Sequence, residues 1–306
     1  MTQKLYKAFV GVMALVGALW FVAANDGSRA VVVSEKKTQT ENKIAPLLRV
    51  YFLNVGQGDA IYIRTPDEQD ILIDGGPDAS VLSELGKVMS FWDRQIDVMV
   101  LTHPHSDHVA GLVEVLRRFE VKQIYYTGVL HTAPDYLAWL AEIKNKNVPM
   151  NIVQDFSELK LSEDIKLQFL FPITSLVNQK MTELNNSSIV ARLVNGDTEF
   201  LFTGDAEIEV EEALLKKYCA PEQECLLRSD VLKVGHHGST SSSAEEFLNA
   251  VDPRLAVITV GIDNAFGHPH LRTLKRLERL NIETLRTDER GIIRMSSDSR
   301  QILVDN

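Results

Sequence analysis

The chain has little cysteine, little histidine and a shortage of positive charge, and each shortage excludes something. Two cysteines in 306 residues make neither a disulfide framework nor a cysteine-based zinc site. Cys219 and Cys225 lie six positions apart in a polar stretch, so a local disulfide remains open if the chain is exported. Lysine and arginine number 32 against 42 acidic residues, and the formal net charge is −10. A chain this acidic has no general field for nucleic acid or anionic lipid, so a polyanionic substrate would need a local basic patch. The 45% hydrophobic and 24% charged fractions are ordinary for one large globular domain or two small ones.

The long uncharged run, residues 8–24, follows Lys4 and Lys7. It has the form of a signal peptide, with Val22-Ala23-Ala24 as a cleavage site. It is also about long enough for a single membrane anchor, the reading we prefer. The lysines keep the N-terminus in the cytoplasm, so both readings put the rest of the chain outside it. Residues 25–46 are polar and charged and read as a flexible linker. The folded domain is expected over residues 47–306.

Strands are expected at 48–54 and 60–64, a hairpin around Val55-Gly56-Gln57-Gly58-Asp59, and at 71–73, 98–101 and 124–126. Helices are expected at 81–91, 109–119 and 136–144. A second run of the same type follows. Its strands fall at 166–171, 188–194, 200–203, 231–234 and 255–260, and its helices at 207–218, 245–251 and 271–280. Short strands at 282–285, 292–295 and 302–304 close the chain. Ser243 with Glu246 three positions on predicts a capping box for the helix at 245. Hairpins followed by alternating helices and strands, twice over, predict an α/β protein with two mixed sheets and outer helices. Its polar loops sit at strand C-terminal ends, where open α/β sheets bind ligands.

Only eight histidines occur, yet three of them and an aspartate crowd into Thr102-His103-Pro104-His105-Ser106-Asp107-His108, directly after the apolar run Val98-Met99-Val100-Leu101. Imidazoles and a carboxylate clustered at a strand end point to a metal site on a rigid scaffold. Imidazole suits zinc, iron and manganese. Thr203-Gly204-Asp205, Gly235-His236-His237-Gly238-Ser239, Gly267-His268-Pro269-His270 and Asp74 are further polar groups at or after strand ends.

Together with Phe52-Leu53-Asn54-Val55-Gly56-Gln57-Gly58-Asp59-Ala60, Asp74-Gly75-Gly76 and Asn185-Asn186-Ser187-Ser188, these pieces resemble the metallo-β-lactamase fold. Within it they are most similar to the extracytoplasmic hydrolase domain of ComEC-type DNA-uptake competence proteins. The resemblance covers residues 48–304. It implies a four-layer αβ/βα sandwich and one or two divalent metal ions, Zn2+ or Mn2+. His103 and His105 would bind a first metal, Asp107 and His108 a second, and Asp205 would bridge them. His268 is expected as the last metal ligand and His236 as the catalytic general acid, with the exchanged assignment open. Asp107 would also orient the attacking water and take its proton. Asp74 and His237 are candidates for supporting the ligands. The fold usually supplies a third histidine to the first metal from the middle of the chain, and none stands there. Asn186 and Ser187 are the candidate substitutes, which favours a harder ion such as manganese or leaves that position weak.

The helix expected at 271–280 carries leucines at 271, 274, 277 and 280 as a buried stripe, with Arg272, Lys275, Arg276 and Arg279 as a basic face for phosphates. Tyr125 and Tyr126 offer either base stacking or core packing. The expected function is that of a metal-dependent phosphodiesterase, a nuclease acting on DNA outside the cytoplasmic membrane. The alternatives are a metallohydrolase of a small lactone, β-lactam or ester, and a non-catalytic surface module that binds metal or DNA. The many-helix channel of full competence proteins has no counterpart in these residues, so DNA transport by this chain alone is not expected.

Overall fold

A computed structural model describes residues 47–221 and 224–305. The expected signal or anchor segment (1–24) and linker (25–46) lie outside the described residues. Among the described residues, no helix is long and apolar enough to cross a membrane.

Two mixed sheets carry the fold. The first holds eight strands. Leu48–Phe52, Ile61–Arg64 and Asp70–Ile73 are antiparallel neighbours, and Val98–Val100, Ile124–Tyr126 and Met150–Ile152 continue the sheet in parallel. The second holds seven strands. Ser157–Lys160, Ile165–Phe171, Val190–Asn195 and Thr198–Phe202 are antiparallel, and Val231–Lys233, Leu255–Ile258 and Glu283–Arg286 follow in parallel. Each half therefore runs from a meander to a parallel half-sheet. The last strands, Ile293–Ser297 and Ile302–Asp305, return to the first sheet beside Leu48–Phe52.

The period of two along a strand sorts neighbouring residues into different cores. Ile61, Ile63, Ile71 and Ile73 face the second sheet, where they meet Phe169, Leu193, Phe200 and Phe202. Tyr62 and Leu72, between them in sequence, face outward onto Leu112 and Leu116 of the helix Ser106–Arg118 and Trp139 of the helix Pro134–Lys146. On the other side, Leu201 and Leu232 face Leu214, Phe247 and Leu277. Three apolar layers lie between four layers of structure, the expected αβ/βα sandwich. Each fully buried side chain of this kind contributes ~1.5–3 kcal/mol.

Several local expectations fail, each for a physical reason. The helix at Ser80–Leu85 stops at Gly86 instead of running to residue 91. Glycine is the poorest helix former after proline, and Phe91 and Trp92 end up exposed. The capping box does not form. Ser243 takes a left-handed conformation (φ 58°) and Ala244 is the N-cap of the helix Glu245–Val251. The backbone N–H groups of Ser243 and Ala244 donate instead to the buried carboxylate of Glu211. Met150–Ile152 and Ser157–Lys160 are edge strands, the first only three residues long and the second polar, with too little apolar pattern to announce them. Tyr125 stacks on Phe169, centroids 5.1 Å apart, and Tyr126 packs edge-on to Trp139, so both serve the core. Cys219 and Cys225 form a disulfide, with Cα atoms 4.2 Å apart.

Candidate metal centre

The histidine loop is placed by a close backbone approach. A Cβ on Gly111 would lie 1.8 Å from the Gly75 carbonyl oxygen, so the helix Ser106–Arg118 can back onto the strand end only with glycine there. Gly75 N–H then donates to the His108 carbonyl at 2.8 Å. Asp74, fully buried with φ 58°, sits in a strained left-handed conformation that needs support from its surroundings. Its carboxylate accepts from Thr102 N–H (2.8 Å), Thr102 Oγ1 (2.7 Å) and His108 Nδ1 (2.8 Å). The last bond fixes the ring and leaves His108 Nε2 facing the opposite way, into the cleft.

The second half builds a counterpart. After the strand Val231–Lys233, His236 and His237 both have positive φ, 46° and 52°. Consecutive left-handed residues cost ~1–2 kcal/mol each. The tight turn they make buries His237 and leaves His236 at the rim. His237 Nδ1 donates to the Thr259 carbonyl at 2.8 Å, with Asp59 Oδ1 3.4 Å away. Asp59 is held by Lys233 Nζ at 2.6 Å and by the Thr259 hydroxyl. Lys233, fully buried, also donates to the Gly204 carbonyl at 3.2 Å.

Four donors converge between the halves. Asp107, His108, Asp205 and His237 each offer an atom within 4.8 Å of the others. Asp205 Oδ2 lies 3.3 Å from His108 Nε2 and 3.5 Å from His237 Nε2, and Asp107 Oδ2 lies 3.4 Å from His237 Nε2. His108 Nε2, His237 Nε2 and Asp205 Oδ1 are buried with no hydrogen-bond partner among the described residues. Unpartnered buried ring nitrogens and a carboxylate oxygen are costly unless something binds them. The donor set fits a divalent metal ion. The electrostatics agree. Burial opposes the charged form of His108, but the carboxylates of Asp205, Asp74 and Asp107 outweigh it and raise its pKa well above the usual imidazole value. Burial likewise opposes ionisation of Asp205, and His237, His108 and His103 outweigh it, holding the carboxyl well below its usual range.

Sequence reasoning expected His268 as the last ligand, or His236 in exchange. Neither belongs to the four-donor group, and His237 does. His268 is half-buried, its ring 6.5 Å from that of His237. Burial and the neighbouring His236 and His237 push its pKa down to about 4. His236 stands at the rim, with Nδ1 3.1 Å from Ser241 Oγ and 3.2 Å from Glu207 Oε1. The left-handed turn carries the two adjacent histidines to different places, His237 buried in the group and His236 at the rim.

At the first metal position, His103 Nε2 and His105 Nδ1 approach to 3.0 Å, and His103 Nε2 lies 3.9 Å from Asp205 Oδ2. The expected substitutes are otherwise engaged. Asn186 Oδ1 accepts from Glu207 N–H at 3.1 Å, and Ser187 Oγ donates to the Leu184 carbonyl at 2.7 Å. Ser188 Oγ accepts from Asp205 N–H at 3.1 Å. This stretch braces the Asp205 loop. Its one buried side-chain oxygen without a partner is Asn185 Oδ1. Asp59, Lys233 and Thr259 carried no site assignment from sequence. Asp59 alone had a signal, as the acidic end of the Gly-Gln-Gly-Asp turn.

The basic face is smaller than its sequence. Arg276 donates to the carbonyls of Ser242 (3.3 Å) and Ser243, and Arg279 pairs with Glu245. Arg272 and Lys275 are exposed and form no ion pair among the described residues. Only Leu277 of the leucine stripe is fully buried, and Leu271 is exposed.

Residues 53–261 match the family model of the metallo-beta-lactamase superfamily. The chain belongs to that superfamily. As a metallo-beta-lactamase superfamily member with this donor group, it is a metal-dependent hydrolase. It is similar to "ComE operon protein 3" of Bacillus subtilis (strain 168), 30% identical over 268 residues, covering 82% of this chain and 33% of that protein. It is also similar to "Competence protein ComA" of Neisseria gonorrhoeae, 29% identical over 245 residues, covering 78% of this chain and 31% of that protein. The chain spans about a third of the length of these relatives, and the ComEC-type resemblance read from the motifs holds. The metallo-beta-lactamase fold protein YhfI from Bacillus subtilis shares the fold, at a TM-score of 0.50 and 14% identity, covering 85% of this chain and 100% of that one.

Proposed function

We propose that this superfamily member is a phosphodiesterase that cleaves DNA outside the cytoplasmic membrane. The supporting observation is the four-donor group, buried except for Asp107, opening onto a rim that carries two imidazoles, His236 and His268, outside the group. Kinship with competence proteins supports DNA as the substrate and the cell envelope as the place. When bound, a divalent ion, Mn2+ or Zn2+, polarises the phosphoryl oxygen and acidifies a water. Asp107, His108, Asp205 and His237 would hold it, with His103 and His105 available to a second ion.

The chain's own residues supply the rest. Asp107 accepts the proton of the attacking water. His236, held between Glu207 Oε1 and Ser241 Oγ, gives a proton to the departing oxygen. Asp74 and Thr102 keep His108 in one ring orientation, and Asp59 and the Thr259 carbonyl do the same for His237. Arg272 and Lys275 are the cations left to meet flanking phosphates.

The test is the full chain with Mn2+ or Zn2+ on single- and double-stranded DNA, bis(p-nitrophenyl) phosphate, a β-lactam and a lactone. Diester hydrolysis that needs metal and disappears in His237→Ala and Asp205→Ala is expected. Turnover of the β-lactam or lactone without any diester hydrolysis would overturn the proposal.

A further inference from the structure

The loop after the strand Leu255–Ile258 carries a feature the hydrolytic group does not use. Phe266 is 70% exposed. Its ring lies nearly parallel to that of His268, at 24° and 6.0 Å between centroids. His268 in turn stands 5.5 Å from His236 and 6.5 Å from His237. A row of rings therefore leads from solvent to the donor group, with Phe266 as the outermost step.

Isolated exposed apolar residues are common, but this one sits on a built loop. Asn264 Nδ2 donates to the carbonyls of Gly261 (3.0 Å) and His268 (2.6 Å), while Asn264 Oδ1 accepts from His268 N–H (3.0 Å). Gly261 is anchored beneath the opposite half of the cleft. Its N–H donates to Gln57 Oε1 at 3.3 Å, and a Cβ there would lie 2.7 Å from Gln57 N. The loop is thus tied at both ends, and Phe266 is held out 70% exposed, its ring roughly parallel to that of His268. Exposure of an aromatic ring in water has no return for folding.

We propose that Phe266, backed by His268, is a stacking platform for an unpaired nucleobase adjoining the scissile phosphate, so that the site takes single-stranded rather than duplex polynucleotide. The inference rests on the polynucleotide reading above. A base pair inside a duplex has both faces covered by its neighbours and cannot lie on the ring, whereas an unpaired base has a free π-face. Arg272 and Lys275, exposed on the helix that begins at Leu271, lie just beyond this loop in sequence and suit the backbone of the same strand. Recognition by stacking is tolerant of sequence, so the platform selects strandedness and not base identity.

Stacking on an aromatic side chain is worth ~1–3 kcal/mol per base, about 5- to 150-fold in affinity. The experiment uses the full chain with EDTA and oligothymidylate carrying single 2-aminopurine substitutions, beside an abasic oligomer of equal length. Phe266→Ala should weaken the natural oligomer about 5- to 150-fold, abolish quenching of 2-aminopurine and leave the abasic oligomer unchanged. Phe266→Tyr should keep both affinity and quenching. The proposal is overturned if Phe266→Ala binds the natural oligomer as tightly as the parent, if it weakens both oligomers equally, or if the parent binds no single strand. Hydrolysis of bis(p-nitrophenyl) phosphate is measured in parallel. Quenching without diester turnover would sink the catalytic reading and keep the platform.

Discussion

Replacing Lys233 by methionine tests how the second half of the site is held. Methionine keeps most of the volume of the aliphatic stem and removes the charge. In the parent, Nζ lies 2.6 Å from Asp59 Oδ2 and 3.2 Å from the Gly204 carbonyl, and neither Lys233 nor Asp59 reaches solvent appreciably. The variant leaves an anion buried beside the Thr259 hydroxyl and a flank of His237, with the Asp74 carboxylate and His108 close by. Removing one partner of a buried pair costs ~3–5 kcal/mol, because the other charge is left uncompensated. At ~2–4 °C per kcal/mol for a domain of this size, Tm should fall by roughly 6–20 °C. The same change should weaken metal binding ~10- to 100-fold, since Asp59 and the Thr259 carbonyl orient His237. Adding Asp59→Asn removes the stranded charge, so the double variant should recover most of the lost stability, with a coupling of ~2 kcal/mol or more. Thermal and urea unfolding of the four proteins of the cycle, with EDTA and with metal, measure this. A Lys233→Met protein within ~1 kcal/mol of the parent, or strictly additive losses, would refute the reasoning.

His237→Ala should abolish tight binding of a divalent ion in calorimetry, whereas His268→Ala should bind it as the parent does; the reverse order would restore His268 as the ligand. Burial pushes Glu211 up to about 7 from an ordinary 4.5, against the bonds it accepts from Ala244 and Ser243. A carboxyl raised in this way stabilises the fold fully below about pH 4.5, and the contribution is lost as pH rises through about 7. The parent should therefore lose ~3 kcal/mol relative to Glu211→Gln between those limits, and parallel urea-stability curves across that range would disprove it. Gly111→Ala places a methyl group against the Gly75 carbonyl and should cost about 3 kcal/mol by forcing the metal-bearing helix off the strand end; an unchanged urea midpoint would contradict that packing.

Much of this molecule was legible in advance, for reasons of spacing. Continuous apolar runs at residues 61–63, 71–73 and 200–202 announce strands buried on both faces, and the three cores follow from them. His103, His105, Asp107 and His108 are close in sequence and need only one strand end to bring them together. What failed was decided at a distance. Glu211 replaced a local cap with one from 33 positions away. Arg276 and Arg279 looked free on a helical wheel but are spent on Ser242, Ser243 and Glu245. Asn186 and Ser187 looked like donors, yet their oxygens serve Glu207 N–H and the Leu184 carbonyl.

By itself the sequence determined two mixed sheets with outer helices and the metal-binding character of the histidine loop, which short-range periodicity and residue chemistry display directly. The four-layer order and the pairing of Asp107 and His108 with Asp205 came from the resemblance that its motifs carry. Only the tertiary structure decided that His237 completes the donor group, that Lys233 and Asp59 stand behind it, and that Phe266 faces solvent at its mouth. The two histidines are adjacent and chemically identical, so composition cannot separate them. Their left-handed dihedrals, 46° and 52°, do, because they rotate one ring into the cleft and the other onto its rim.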